Sequence, residues 1–323
     1  MGVKVRERKG MNRILTFGVL TLLFSTSLSV TAYSGQREDA VAAYKRGDYA
    51  TAIRLMKPLA EKGDAFAQNY LGIMYEKGQG VPQVYDEAAK WHRKAAEQGY
   101  TKAQSNLALM YASGRGVSQD YTEAAKWWRR AAEQGYAQAQ FNLGLMYDKG
   151  QGVSQDYAEA AKWYRKAAEK GNAFAQVNLG FRYAKGQGVP KDDTEAVKWF
   201  RKAAEQGIPK TQFNLGIMYE KGQGVPQDYA ESAKWYRKAA EQGYARAQYN
   251  LGMRYDQGKG VPHDYVLAHM WFNLAASRFP ASEAENRKKA ARSIDRVASK
   301  MTTAQVAEAK RLAREWKPKK EVK

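Results

Sequence analysis

The sequence contains no cysteine, which excludes disulfide bonds, thiolate metal sites and a cysteine nucleophile. Histidine is almost as scarce, since the 323 residues include only three. His263 and His269 are six positions apart, and this spacing does not match a pair of metal ligands on one helix face. We therefore expect no bound metal and no cofactor, and a fold that is stabilised by packing alone.

Aromatic residues and glycine are abundant, and they recur with a period of 36 residues. A Tyr-x-x-Gly-x-Gly-Val segment begins at Tyr75, Tyr111, Tyr147, Tyr183, Tyr219 and Tyr255. A tryptophan follows each segment at the same distance, at Trp91, Trp127, Trp163, Trp199, Trp235 and Trp271. A fixed period of this length is typical of solenoids, in which each repeat is one supersecondary unit that stacks on the next.

The pattern within each repeat predicts two helices. Within residues 120–135, apolar side chains recur at helical spacing and charged side chains occupy the opposite face. Asp120 is placed to cap this helix, and Glu123 completes a pair that resembles a capping box. Val84 replaces the aspartate in the first full copy, so we expect that helix start to be weaker by up to about 1 kcal/mol. The other helix contains Gly144, which indicates close approach of a neighbouring helix.

The constant columns are represented by Leu143-Gly144, Met146-Tyr147, Gly150, Gly152-Val153, Asp156-Tyr157, Ala160-Ala161, Trp163-Tyr164 and Ala167-Ala168. They resemble the Sel1-like repeat family, whose repeats are similar to tetratricopeptide repeats with a longer connection between the helices. The resemblance covers about residues 35–279 and implies an all-α fold, a right-handed α-solenoid of about seven antiparallel helix pairs. Such repeats serve mainly as interaction scaffolds, so the resemblance implies binding without naming the partner.

The N-terminal segment differs from the repeats. A basic start, an apolar run over residues 14–30 and a small-residue site ending at Ala32 predict a secretory signal peptide over residues 1–32. The alternative is an uncleaved membrane anchor, although six hydroxyl side chains make the run a poor span. Either Met1 or Met11 is the true start. We expect an exported protein, periplasmic or secreted.

The C-terminal segment is strongly basic. We expect the repeat solenoid to cover residues 33–279, and residues 280–323 to form capping helices and a charged tail, because Pro280 ends the last repeat helix. From Arg287 onward there are 13 basic and four acidic residues, a net charge of +9. This end either contacts a polyanion, such as a cell-wall polymer or an anionic membrane surface, or is a solvated cap. Nucleic acid is not expected, since a secretory signal would carry the protein away from it.

No arrangement of residues predicts catalysis. The Gly-x-Gly of each turn lacks the preceding strand of a dinucleotide site, and the paired carboxylates recur in almost every repeat as helix caps. His92 takes the place of Trp128, Tyr164 and the equivalent aromatic residues of other copies, so we expect it to pack in the core. We expect a protein that is not an enzyme. A hydrolase acting on cell-wall or antibiotic-like substrates is a further alternative.

Partner binding is expected where the copies differ, because stacking explains the constant columns. The similarity to tetratricopeptide repeats implies that the first helices line a concave groove. Their register selects Phe66, Lys102, Phe141, Phe174, Lys210, Phe213, Arg246 and Tyr249 as partner-binding residues. Aromatic side chains flanked by bases suit an extended peptide or a partner helix. The alternative is that these positions are simply solvated surface.

The same register assigns to the groove the column that begins at Glu76. Arg182 and Arg254 replace the methionine of the other copies, which indicates either a charged contact or altered packing. The sequence as a whole favours an exported, non-enzymatic scaffold that binds protein or peptide partners through a concave groove. An adaptor that contacts a wall polymer or membrane surface through its basic end is the alternative.

Overall fold

The computed structural model describes residues 35–319, and every regular element in this part is a helix. Helix α1 covers residues 35–45. The repeats contribute α2 (Tyr49–Glu61), α3 (Ala65–Lys77), α4 (Tyr85–Glu97), α5 (Thr101–Ser113), α6 (Tyr121–Glu133), α7 (Ala137–Lys149), α8 (Tyr157–Glu169), α9 (Ala173–Lys185), α10 (Asp193–Glu205), α11 (Pro209–Lys221), α12 (Tyr229–Glu241), α13 (Ala245–Gln257) and α14 (Tyr265–Arg278). A short 3-10 helix (Ala281–Glu283), α15 (Ala284–Ala298) and α16 (Thr303–Glu315) follow. The predicted all-α fold of paired helices is confirmed.

The predicted signal peptide over residues 1–32, and the choice between Met1 and Met11, lie outside the described residues. Among the helices of residues 35–319, none is both long and apolar enough to cross a membrane. The chain divides into two compact units between Tyr136 and Ala137. Within each unit, each helix from α2 to α14 packs against the next one along the chain.

Aspartate side chains begin most of the second helices. The Asp120 carboxylate accepts hydrogen bonds from the backbone N–H groups of Thr122 and Glu123, at 2.8 and 3.0 Å. Glu123 does not bond back to the cap as a capping box requires, because its carboxylate accepts from Lys126 at 3.0 Å. As expected, the Val84 side chain forms no cap bond in the described part of the chain.

Two recurrent glycines allow close approach between neighbouring elements. A Cβ atom on Gly144 would lie 2.7 Å from a ring carbon of Tyr164, so this glycine lets α7 pack closely on α8. Gly188, in the turn after α9, has φ +74°, and its Cβ would lie 2.0 Å from the carbonyl oxygen of Tyr157 on α8. The turn of one repeat therefore rests on the second helix of the preceding repeat, and only glycine fits both this backbone and this contact.

The tryptophan column and the position that follows it contribute to the core, as the sequence predicts. Trp163 is 7% exposed, and Tyr164 is fully buried. The Lys166 Nζ atom lies 4.4 Å from the centroid of the Trp163 ring, and Lys202 covers Trp199 in the same way at 4.6 Å. In both contacts a cation lies over the indole ring, where its charge is attracted to the ring quadrupole.

A buried glutamine in the first helix of the repeat joins it to its neighbours. The Gln176 amide donates to the Ala168 carbonyl at the end of α8 at 3.0 Å, and its oxygen accepts from Gln206 at 2.8 Å. The same two contacts recur at Gln212. Because the last carbonyls of a helix have no partner within that helix, these amides satisfy groups that burial would otherwise leave unpaired.

Helices α15 and α16 pack on α14. The rings of Trp316 and Trp271 are 6.3 Å apart in an edge-to-face arrangement, and the Arg278 guanidinium lies 4.3 Å from the centroid of the Trp316 ring. Val297 is fully buried in the same apolar cluster. The two helices therefore cover apolar residues that the last repeat would otherwise expose.

Candidate partner-binding surface

The structure places the eight predicted partner-binding residues in different environments. Phe174 is an exposed aromatic residue, with 62% of its surface accessible. Lys102 and Lys210 are also exposed. Arg246 is exposed, but its Nε donates to the Glu283 carboxylate at 3.1 Å, so part of its hydrogen-bonding capacity is used within the chain.

Three further aromatic residues of the set are half-buried. The ring of Phe141 lies 6.1 Å from that of Phe174, which forms an aromatic pair on the first helices of two consecutive repeats. Phe66 packs on Tyr70 at 4.7 Å, and Tyr249 packs on Phe272 at 5.4 Å. These residues contribute to packing and to the surface at the same time.

Phe213 is a core residue, which corrects the expectation that it lies on the surface. It is 9% exposed, and its ring lies 5.6 Å from Tyr236 and 5.4 Å from Tyr244. Phe141 occupies the same position in another copy, but there the equivalent of Tyr244 is Asn172, whose side chain caps α9 instead. The burial of Phe213 is therefore decided by a neighbour 31 positions away.

Arg182 forms a charged contact between neighbouring repeats. Its guanidinium donates to the Asp148 carboxylate at 2.5 Å and lies 4.7 Å from the centroid of the Tyr157 ring. The Tyr164 hydroxyl donates to the other oxygen of the same carboxylate at 3.1 Å. Burial and the neighbouring carboxylate raise the pKa of Tyr164 above its usual value, so its hydroxyl stays protonated and donates.

Arg254 repeats this arrangement. It donates to Glu220 at 2.9 Å, and the Tyr236 hydroxyl donates to the second oxygen of Glu220 at 2.5 Å. The replacement of methionine by arginine at these two positions is therefore a charged contact rather than altered apolar packing. Asp148 and Glu220 belong to the column that begins at Glu76, and both carboxylates join one repeat to the next.

Asp256 is the third carboxylate of this kind, and it has only part of the same set of partners. Arg296 of α15 donates to it at 2.8 Å. Its Oδ1 atom is buried and has no hydrogen-bond partner among the described residues. Phe272 stands where Tyr164 and Tyr236 donate a hydroxyl in the other two networks. One buried acceptor is therefore left unsatisfied, which costs free energy.

A row of asparagines lies at one position of five consecutive first helices. This asparagine row consists of Asn106, Asn142, Asn178, Asn214 and Asn250. The expectation that constant columns serve only in stacking does not account for the asparagine row. All five residues are half-buried rather than buried. The available sequence signal is that four of these asparagines follow, by four positions, a residue assigned to the groove, as Asn178 follows Phe174.

The contacts of the asparagine row do not repeat from copy to copy. Asn106 donates to Asn69 at 3.1 Å, and Asn142 accepts from Gln138 at 3.1 Å. The side chains of Asn178 and Asn214 form no hydrogen bond with any residue in the described part of the chain. The buried glutamines, in contrast, form the same backbone contact in copy after copy.

His92 is fully buried against Gly72, whose missing side chain leaves room for the imidazole. Burial lowers its pKa to about 4, so the ring is neutral near pH 7. Neither ring nitrogen has a hydrogen-bond partner among the described residues. Residues 35–319 contain no group of three or more potential metal-ligating side chains. This environment fits the packing role predicted for His92.

Much of the basic charge near the C-terminus is held by contacts within the chain. Such contacts join Arg287 to the carbonyl of Phe279, Arg296 to Asp256, Lys319 to Glu241, and Arg311 to Glu308 and Glu315. Lys289, Lys310 and Arg314 are exposed. This distribution favours a solvated cap over a surface that is organised to bind a polyanion.

Comparison with known proteins gives one family. The family model described as the Sel1 repeat matches six consecutive segments, 65–100, 101–136, 137–172, 173–208, 209–244 and 245–278. The crystal structure of a Sel1 repeat protein from Oxalobacter formigenes is 35% identical, covers 74% of this chain and 96% of that chain, and has a TM-score of 0.64. A protective antigen of uropathogenic Escherichia coli that displays an SLR fold is 26% identical, with 90% and 93% covered and a TM-score of 0.49. No curated protein matches the chain.

Proposed function

The chain belongs to the Sel1 repeat family, and from this premise we propose that it is a non-catalytic scaffold that binds a protein or peptide partner. Repeats of this family typically form protein-interaction scaffolds. We assign the binding to the first-helix surface, which we define as Phe141, Phe174 and Lys210. All three lie on the first helices of consecutive repeats, α7, α9 and α11.

Phe174 is the observation that carries this proposal. It exposes 62% of its surface, whereas five members of the constant tryptophan column are buried, namely Trp127, Trp163, Trp199, Trp235 and Trp271. The residues at this position in other copies include Lys102, Gln138 and Lys210, so stacking does not require an aromatic residue here. An exposed aromatic side chain beside a second ring is typical of an anchor for a partner.

The proposal is tested by photo-crosslinking in the native host, with p-benzoylphenylalanine in place of Phe174. Val84 provides the matched control position, because it is also an exposed apolar residue but begins a second helix. We expect a discrete crosslinked protein from position 174 and none from position 84. We also expect Lys210→Ala to reduce the yield. Equal crosslinking from both positions, or none from position 174, would contradict the assignment.

The same proposal includes export, which the N-terminal sequence supports. A basic start, an apolar run and the small residues before Ala32 match a secretory signal peptide. Mass spectrometry of the protein isolated from the host envelope and medium is expected to show a mature N-terminus near Tyr33. Recovery of the uncleaved chain in the cytosol or in the inner membrane would contradict export with cleavage.

A further inference from the structure

We propose that the surface around Gly243 at the end of α12 is a second binding site, and that residues 316–319 occupy it as a partner segment would. We call these four residues the C-terminal strap; their sequence is Trp-Lys-Pro-Lys. The partner is an extended, basic segment that carries an aromatic side chain and displaces the strap. This inference goes beyond the proposed function, because the site lies at the ends of α12 and α14 rather than on the first-helix surface.

The strap contacts the end of α12 through its main chain and through a charge. It begins in an extended conformation, with φ −65° and ψ 134° at Trp316. The Lys319 backbone N–H donates to the Glu241 carbonyl at 2.8 Å, and the Lys319 Nζ donates to the Glu241 carboxylate at 2.8 Å. The last carbonyls of a helix have no partner within that helix, so an extended segment of any sequence can make the first bond. The carboxylate adds a preference for a base.

The equivalent surface is open in other repeats. A Cβ atom on Gly243 would lie 3.9 Å from Pro318 and 3.9 Å from the Trp316 ring, so the strap passes over this glycine. At Gly99 and Gly171, no described residue other than the two chain neighbours lies within 4 Å of the same point. The strap therefore covers a surface that the repeat itself leaves free.

An aromatic ring of the strap contacts the last member of the tryptophan column. In the preceding repeat Lys238 lies over Trp235 at 4.3 Å, and a base covers four earlier tryptophans in the same way. Leu274 stands at the position of this base in the last repeat. Trp271 meets the Trp316 ring instead, edge to face at 6.3 Å. Because such pairs are attractive beyond the area that they bury, we assign an aromatic residue to the partner segment.

A buried acceptor beside the strap is unsatisfied, which favours displacement. In four other copies a glutamine that follows the second helix donates to the buried glutamine of a first helix, as Gln206 donates to Gln176 at 2.8 Å. Arg278 stands at the donor position of the last copy, and it lies over the Trp316 ring at 4.3 Å. The Oε1 atom of the fully buried Gln248 has no partner among the described residues. Departure of the strap frees Arg278 to donate to this atom, which offsets part of the lost contact.

The test measures binding of a fluorescein-labelled synthetic peptide, with the sequence of residues 315–320, to full-length proteins by fluorescence anisotropy. The strap of the parent competes with this peptide, and Trp316→Ala weakens the competitor. We expect Trp316→Ala to bind the peptide about ten-fold more tightly than the parent, because apparent affinity scales with the fraction of open sites. Lys319→Ala, which removes only an exposed base from the strap, is a second open variant and should change the affinity in the same direction.

Two further changes locate the bound peptide. Adding Glu241→Gln to Trp316→Ala should weaken binding about three-fold at low salt, as expected for loss of one exposed ion pair. Glu205→Gln is the matched control and should have no effect, because Lys238 already covers Trp235 beside that position. A peptide with alanine in place of its tryptophan should bind about ten-fold more weakly.

The outcomes separate this inference from the proposed function. Equal binding of the peptide to the parent and to both open variants, or binding to none of them, would show that the strap is only a cap. Equal losses from Glu241→Gln and Glu205→Gln would also overturn the site. Phe174→Ala, added to Trp316→Ala, should leave peptide binding unchanged, and a loss would place the peptide on the first-helix surface instead. Thermal melting followed by circular dichroism confirms that each variant is folded.

Discussion

At the scale of single residues, His92 shows how a substitution in a constant column changes the chemistry of the core. Tyr164, Tyr236 and Phe272 fill the equivalent positions and are fully buried. His92 is equally buried, but it has an ionisable ring whose nitrogens lack partners among the described residues. The sequence alone predicts the packing. Because the structure shows that the ring is buried without partners, its protonation must oppose folding.

We predict that the free energy of unfolding falls between about pH 6.5 and pH 4 because of His92, and that His92→Phe removes this contribution. The folded-state pKa is lowered to about 4, from an ordinary value of 6.5. The unfolded chain therefore takes up a proton at a higher pH than the folded chain, and stability is lost as the pH falls through this range. The full loss is roughly 3 kcal/mol.

The measurement is urea unfolding of the parent and of His92→Phe across this pH range. Titration of the carboxylates is common to both proteins, so the difference between their free energies isolates the histidine. Parallel pH profiles for the two proteins would show that His92 is not buried as a neutral ring.

Phe272→Tyr is predicted to stabilise the fold by about 1 kcal/mol, because the new hydroxyl can donate to the unsatisfied Oδ1 atom of Asp256. Phe200→Tyr is the matched control, since Ala184 stands where a carboxylate would be needed and the hydroxyl is left without that acceptor. We expect this control to be neutral or destabilising. The midpoint of thermal unfolding measures both. A gain in the control but not in Phe272→Tyr would contradict the account of these networks.

At the scale of helices, the caps explain differences between otherwise equivalent elements. Asp156 accepts two backbone N–H groups at the start of α8, at 2.8 and 3.0 Å. Val84 has a similar extended backbone at the start of α4, with φ −139° and ψ 101°, but no cap bond in the described part. We predict that Val84→Asp raises the free energy of unfolding by about 1 kcal/mol. Asp156→Val should lower it by a similar amount, as measured by urea unfolding, and a loss in both variants would refute the comparison.

The contact between Arg182, Asp148 and Tyr164 can be replaced as a set by the residue types that occupy these three positions in another copy of the repeat. Arg182→Met leaves the partly buried Asp148 carboxylate without its cation, so we expect a loss of roughly 3 kcal/mol in urea unfolding. Adding Asp148→Ala and Tyr164→Phe reproduces the Ala184, Phe200 and Met218 combination that this chain already uses elsewhere. We expect the triple variant to recover most of the loss. A triple variant as unstable as the single one would mean that the network is not a separable unit.

At the scale of the whole molecule, local signals predicted the elements and missed several contacts between them. The period predicted the paired helices, and the tryptophan column predicted the core that includes Trp163. The burial of Phe213 depends on Tyr244 of the next repeat, and the role of Arg182 depends on a carboxylate 34 positions away. These effects arise from neighbours that the pattern of a single repeat does not contain.

The central claim is that constant residues hold the repeats together while variable residues of the first helices are free to bind. Its most direct test is the free energy of urea unfolding of two alanine variants, Trp163→Ala and Phe174→Ala. Trp163 is 7% exposed and Phe174 is 62% exposed. We predict a loss of about 3–5 kcal/mol for the first and of less than about 0.5 kcal/mol for the second. A parent-like Trp163→Ala, or a Phe174→Ala that is as destabilised as the tryptophan variant, would contradict the claim.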